Sequence, residues 1–310
     1  MAKRRVQVSN RRRRQAHGFV ASAPGVSGAR EGVGGDPGVD DSRGVRLNRW
    51  LAERGVASRR KADELVQGGS VTVNGKTLLE PGYRVQPGDE IMVQDSRVRE
   101  VARLYYAFNK PKGVICTDDP REQRRRLRDL IEPLVPSRVY PIGRLDEDSE
   151  GLILLTNDGD FANLIAHPRY GVPKTYMVQV IGDMPSEAVA KMRQGVHLSD
   201  GKVVPERVRL VRRGRQTSSL EVVLREGRNR EVRRLLARLG IRVKGLKRVR
   251  IGEIGLRGVP RAGLRPLTVA ERDALVLIAR GERDAAHAAG KRAARAKPPA
   301  SRKAPGRPRG

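Results

Sequence analysis

One cysteine, Cys116, stands in 310 residues, so no disulfide can close within the chain, and a reducing compartment is the simple expectation. The histidines (His17, His167, His197, His287) are scattered, with no Cys/His spacing of the kind that holds zinc, and no metal is expected. Long apolar runs are missing: none approaches the roughly 18 residues of a membrane span. Met1–Arg5 leads into no apolar signal core, so no secretory leader is expected. A Gly-rich phosphate loop is absent as well, which fits a chain needing neither nucleotide nor nicotinamide, and no cofactor is expected. Acidic residues are the remaining shortage, 35 Asp and Glu against 64 Lys and Arg, a formal net charge of +29. Lys and Arg gain affinity by displacing the counterions of phosphates, so this excess calls for a polyanion. With membrane excluded, nucleic acid in the cytoplasm is the expected setting.

The charge is unevenly placed. Residues 1–44 contain the run Arg11–Arg14 and then a Gly/Ala/Ser/Pro/Val stretch without helical or strand period, which reads as a disordered basic tail. From Val45 the pattern becomes ordered. Leu47, Trp50 and Leu51 recur at i, i+3, i+4, one apolar face of a short helix stopped at Gly55. Ser58 is a good N-cap for a second helix, with Ala62, Leu65 and Val66 as its buried face. Val71-Thr72-Val73 alternates like a strand into Asn74-Gly75, the strongest two-residue hairpin signal, and a later strand covers Glu90 to Val93. Arg59, Arg60 and Lys61 occupy the first helical turn, where the dipole disfavours cations. Their placement makes sense if they meet phosphate together with the helix amides, with Arg46 and Arg49 nearby in sequence.

After a linker over 96–103, a strand from Leu104 ends in the turn Lys110-Pro111-Lys112-Gly113. Arg121 to Arg128 is basic and exposed, and Pro133, Pro136 and Pro141 fragment the approach to the next stretch. That stretch, GRLDEDSEGLILLTNDG from Gly143 to Gly159, carries the most chemistry. Ile153, Leu154 and Leu155 lack polar alternation and read as a strand buried on both faces, while Asn157-Asp158-Gly159 reads as a turn. Asp146 therefore lies on a loop entering a rigid strand, beside Arg144, a setting suited to a nucleophile or acid/base. A helix over Asp160–His167, an alternating strand over Lys174–Val180 and a helix over Ser186–Met192 come next. In LREGRNREVRRLLARL, residues Val232, Leu235, Leu236 and Leu239 give a firm amphipathic helix whose start bears Arg230, Arg233 and Arg234. Thr268 caps a last helix, Val269 to Ala279, and 280–310 is a second disordered basic tail.

Gly143-Arg144-Leu145-Asp146, Ser149-Glu150-Gly151-Leu152 and Leu155–Gly159 together resemble the signature of ribosomal RNA pseudouridine synthases, in the branch that carries an S4 RNA-binding module. The run LNRWLAERGVASRRKADELVQGGSVTVNGK resembles that module, and Asn109–Gly113 resembles the start of the catalytic domain. The resemblance implies Asp146 as the catalytic residue, Tyr176 packing on the target base, and Arg233 pairing with Asp146. It also implies Arg144 as the residue that fills the vacated stack, because a buried nucleotide must be extruded to react. Arg228 and Arg230 are then read as phosphate ligands. The implied architecture is α+β: a small α/β module with linker over 45–103, and a catalytic domain over 104–279 built on a mixed, mostly antiparallel sheet. The implied partner is ribosomal RNA or a pre-ribosomal particle, met by a monomer. EGRNREVRRL favours large-subunit over small-subunit RNA. Two other readings stand beside it: a non-catalytic ribosome-assembly protein, and a metal-dependent nuclease using Asp146, Asp148, Asp158 and Asp160.

Overall fold

A computed structural model describes residues Gly44 to Glu282. The two basic tails lie outside the described residues, apart from Gly44 and residues 280–282. The chain begins with β1 (Val45–Arg46), α1 (Leu47–Glu53), α2 (Arg59–Gln67), β2 (Val71–Val73), β3 (Lys76–Thr77), β4 (Arg84–Val85), β5 (Ile91–Val93) and β6 (Ser96–Arg97). The apolar faces read from the sequence close on one another here. Leu47 and Leu51 of α1 meet Ala62 and Val66 of α2 over Val71, Ile91 and Val93. The Ser58 hydroxyl accepts from Lys61 N at 3.3 Å, capping α2 as its sequence position requires. Asn74 and Gly75 both take positive φ, 52° and 76°, the geometry that lets a two-residue turn follow the twist of β2 and β3.

The second part comprises β7 (Tyr105–Lys110), α3 (Leu127–Ile131), β8 (Tyr140–Ile142), β9 (Glu150–Thr156), α4 (Gly159–Ala166), β10 (Lys174–Ile181) and α5 (Ser186–Gln194). It continues through β11 (Val196–Leu198), β12 (Gly201–Val203), β13 (Arg207–Arg212), β14 (Thr217–Leu224), α6 (Glu231–Arg238), β15 (Val243–Ile251), β16 (Ile254–Gly255), β17 (Leu264–Pro266) and α7 (Val269–Ala279). Its large sheet runs β13-β14-β10-β15-β9-β7-β17, with β8 on β9 and β16 on β15. The β9–β15 pair is parallel and the other pairs are antiparallel, so the architecture is the α+β mixed sheet that was expected. β9 is buried on both faces, as its unbroken apolar run implied. Ile153 and Leu155 join the core beneath α3, α5 and α6, while Leu152 and Leu154 join the one beneath α4 and α7.

Two local expectations change. Asn157-Asp158-Gly159 does not reverse the chain but starts α4, because the Asp158 carboxylate accepts from Asp160 N and Phe161 N. Pro141 does not break structure either: it sits in β8, whose described strand partner is β9 alone, and a one-sided strand tolerates a residue without an N–H. Thr268 caps α7 as read, with Glu271 completing a capping box. Among the described residues no helix is long and apolar enough to cross a membrane.

Candidate active site

Asp146 lies on the loop between β8 and β9, and that loop is fixed from below. Leu145 and Ser149 are buried, and Ser149 N donates to Asp146 O at 3.1 Å in a tight turn. Beneath them the ammonium of Lys110, fully buried at the end of β7, donates to the carbonyls of Asp146 (3.1 Å), Ser149 (2.8 Å) and Pro111 (3.2 Å). Burial pushes the Lys110 ammonium below its usual range, partly offset by nearby acidic groups that include Asp146 and Asp148. Gly113 N adds a bond to Glu147 O at 2.8 Å. Spacing and composition hold no sign of this role for Lys110, because a lysine ahead of Pro-Lys-Gly reads as an exposed turn residue.

The cations reach the loop from the start of α6. Arg230 precedes the helix in the left-handed conformation (φ 46°), which a non-glycine residue adopts at a cost, and this turns its guanidinium toward the loop. Its Nη1 stands 3.7 Å from Asp146 Oδ2 and 3.4 Å from Asp148 Oδ1. Arg233 differs from the expectation. Its Nη2 donates to the carbonyl of Asp148 at 3.0 Å and pairs with the Asp148 carboxylate at 3.2 Å, so the ion pair with Asp146 falls to Arg230 instead. One helical turn separates the two arginines, and the backbone bend at Arg230 decides which one faces the acid.

A cavity of about 290 Å³ opens beside Asp146, lined also by Arg144, Tyr176, Arg230, Lys174, Glu231 and Arg248. Tyr176 is nearly buried and forms part of this wall, while Arg144 is exposed at the mouth. The other cations named from the sequence divide into free and engaged. Arg46, Arg59, Arg60 and Lys61 are exposed, though Lys61 meets Glu64 at 2.8 Å. Arg49 is not free for phosphate, because its guanidinium pairs with Glu53 at 2.7 Å and with Asp160 of α4. Arg228 is likewise held, by Glu226 and by the carbonyl of Asp200 at 2.8 Å. In both cases a partner lies where sequence spacing alone cannot place it. Asp158 caps α4 and accepts from Tyr105 at 2.7 Å and Arg103 at 3.1 Å. Asp158 and Asp160 are thus committed to other contacts, and among the described residues no acidic group is assembled to hold a metal ion.

Known proteins share both the order and the content of these parts. The profile described as S4 domain matches residues 45–91, and the one described as RNA pseudouridylate synthase matches residues 104–238. A Bacillus subtilis protein named ribosomal large subunit pseudouridine synthase B is 42% identical over 225 residues, covering 72% of this chain and 92% of the relative. An uncharacterized RNA pseudouridine synthase of Aquifex aeolicus is 41% identical over 214 residues, covering 68% and 86%. A crystal structure titled pseudouridylate synthase aligns with a TM-score of 0.54 at 27% identity, covering 75% of this chain and all of the other.

Proposed function

The chain belongs to the RNA pseudouridine synthases that carry an S4 domain, and from that premise we propose that it converts uridine to pseudouridine in large-subunit ribosomal RNA, with Asp146 as the catalytic carboxylate. The observation that carries the assignment of Asp146 is its position. It is the carboxylate of a loop pinned by Lys110, it faces a cavity walled by Tyr176, and it stands 3.7 Å from the guanidinium of Arg230.

The isomerisation breaks the bond between N1 and the sugar, turns the base, and rejoins it through C5. The reacting atoms are covered in stacked RNA, so the nucleotide is drawn out into the cavity and Arg144 at its mouth takes the vacated space. Tyr176 offers its ring to the base. Arg230 aims Asp146 until the base arrives, and Arg233 acts one step further back by holding the Asp148 end of the loop. The naming of the Bacillus subtilis relative supports the large subunit as target. Exposed Arg46, Arg59 and Arg60 on the S4 module supply phosphate contacts that secure the RNA without reading its sequence.

Asp146→Asn is the direct test. Ribosomal RNA binding is expected to persist while release of tritium from C5-labelled uridine falls to background. Turnover at the wild-type rate would remove Asp146 from the chemistry, and a wild-type protein that binds RNA but never modifies it would favour an assembly role.

A further inference from the structure

The inner wall of the cavity carries two buried cations, Lys174 and Arg248. Lys174 and Tyr176 are two residues apart on β10 and so face the same side of the sheet, and Arg248 of β15 is registered directly across from Tyr176. Lys174 is 7% exposed and Arg248 3%, and both line the cavity. The carboxylate that lines the cavity with them at this end is Glu231, at the start of α6. Their hydrogen bonding is incomplete. Lys174 Nζ rests on the carbonyls of Val172 (3.2 Å) and Arg225 (3.4 Å), and Arg248 Nε donates to Leu152 O at 2.7 Å. Arg248 Nη2 and Glu231 Oε1 are buried with no partner. A buried donor left unpaired is destabilising, and a partly satisfied charged network is less stable than an apolar core of the same shape. Burial and the charge of Arg248 press Lys174 down to about 8, while burial raises Glu231. Two like charges buried in the wall of a cavity shared with Asp146 are what a site needs if negative charge must arrive there during the reaction.

The chemistry supplies that charge. If an Asp146 oxygen bonds to C1′, N1 departs with the electron pair of the C1′–N1 bond and the base becomes an anion. If Asp146 instead takes the C2′ proton, the C2′–H pair forms a C1′–C2′ double bond and N1 again departs with its pair. If Asp146 adds to C6, the C5–C6 double-bond pair moves onto the C4 carbonyl oxygen. By each route one negative charge passes from the carboxylate to the ring, shared by both carbonyl oxygens when N1 departs and held by that of C4 when C6 is attacked. It returns when C5 bonds to C1′, the carboxylate is released (by giving its proton back to C2′ where it had taken it), and the C5 proton is exchanged for one on N1. We propose that Lys174 and Arg248 are catalytic residues whose side-chain donors face the carbonyl oxygens of the extruded uracil and stabilise the anion formed as its bond to the sugar breaks. This assignment rests on the reading of the chain as a uridine isomerase.

The test compares the full-length wild type with Lys174→Met and Arg248→Lys in single-turnover assays, on large-subunit rRNA transcribed with uridine or with 5-fluorouridine. Fluorine stabilises the ring anion by itself. Lys174→Met is expected to bind the RNA as the wild type does and to cleave the uridine glycosidic bond about 10²–10³-fold more slowly, the scale of losing one preorganised donor. Its deficit should be smaller on 5-fluorouridine, which a packing defect would not produce. The wild-type rate should also fall above pH of about 8 as Lys174, pressed by Arg248 and countered by Glu231, loses its proton. Lys174→Arg should restore the rate and remove that alkaline limb. Arg248→Lys keeps the charge but breaks the bond to Leu152, so it should retain more activity than Lys174→Met. Equal deficits on both substrates, or an undiminished rate in Lys174→Met, overturn the assignment. A wild-type protein inactive on every rRNA overturns the isomerase reading instead, before any variant is compared.

Discussion

Three carbonyl oxygens converge on the Lys110 ammonium, two of them from the loop that presents Asp146. Lys110→Met would take this donor from all three, leaving Asp146 O with Ser149 N alone. The expected loss is about 2 kcal/mol or more, read from urea denaturation, with turnover falling further because a loop displaced by about 1 Å can cost on the order of 10²-fold. Lys174 has a different signature. Its folded-state value of about 8 lies below the roughly 10.4 of an unfolded lysine, so between the two the unfolded chain binds the extra proton. Wild-type stability should therefore rise with pH across that window, and Lys174→Met should flatten the rise in denaturation curves taken through it. Neither lysine was legible beforehand, since a strand lysine gives no sign of burial until its neighbours are known. The position of Asp146 was legible because its context is local, a short loop running into an apolar strand. The choice between Arg230 and Arg233 was not, because it turns on a positive φ at Arg230 that one sequence does not announce.

At the scale of elements, the joint between β9 and β15 carries the most weight. Gly151 has φ of 107°, and a methyl group there would come within 2.2 Å of the Arg248 carbonyl. Gly151→Ala is expected to break the pairing of Lys247 and Arg248 with Glu150 and Gly151, giving little folded protein by circular dichroism and no modification. The last helix provides a milder case. The Thr268 hydroxyl accepts from Glu271 N at 3.2 Å, and Arg265 grips Glu271 through two bonds of 2.8 and 2.6 Å. Thr268→Ala should cost about 0.5–2 kcal/mol. The Arg265 guanidinium holds the Glu271 carboxyl down at about 2, below its unfolded value near 4.3, so its stabilisation is full above the higher value and disappears as pH falls through the lower one. An acid titration of Glu271→Gln should lack that step. Helices and strands such as these were readable because period and cap residues lie side by side in sequence: Val269–Ala279 has the bounds that Thr268 and the apolar spacing set. The start of α4 was misread because Asn-Asp-Gly suits a turn and a helix cap equally well, and only the position of Phe161 in the core decides.

Across the whole molecule, the S4 module and the catalytic part meet through charge. Arg49 of α1 reaches Asp160 of α4, and Arg103 reaches Asp158. Asp160→Asn should cost no more than about 1 kcal/mol, an effect that fades with added salt, because both side chains are partly exposed. The exposed pair Arg59 and Arg60 should behave otherwise. Replacing both with alanine is expected to weaken binding to any structured RNA alike and to lower the slope of log affinity against log salt by about 2, measured by filter binding. The net charge made nucleic acid legible as partner, yet it could not say which arginines were spare, because Asp160 and Asp200 lie far along the chain from the cations they occupy. The parallel joint has a last consequence, in time. Glu150 leaves the ribosome long before its partner Lys247, so a nascent chain holds its acid loop for many residues of synthesis with the β15 side of the cavity missing. Closure of the site thereby waits for β15, whereas the S4 module is made well before either strand of the joint.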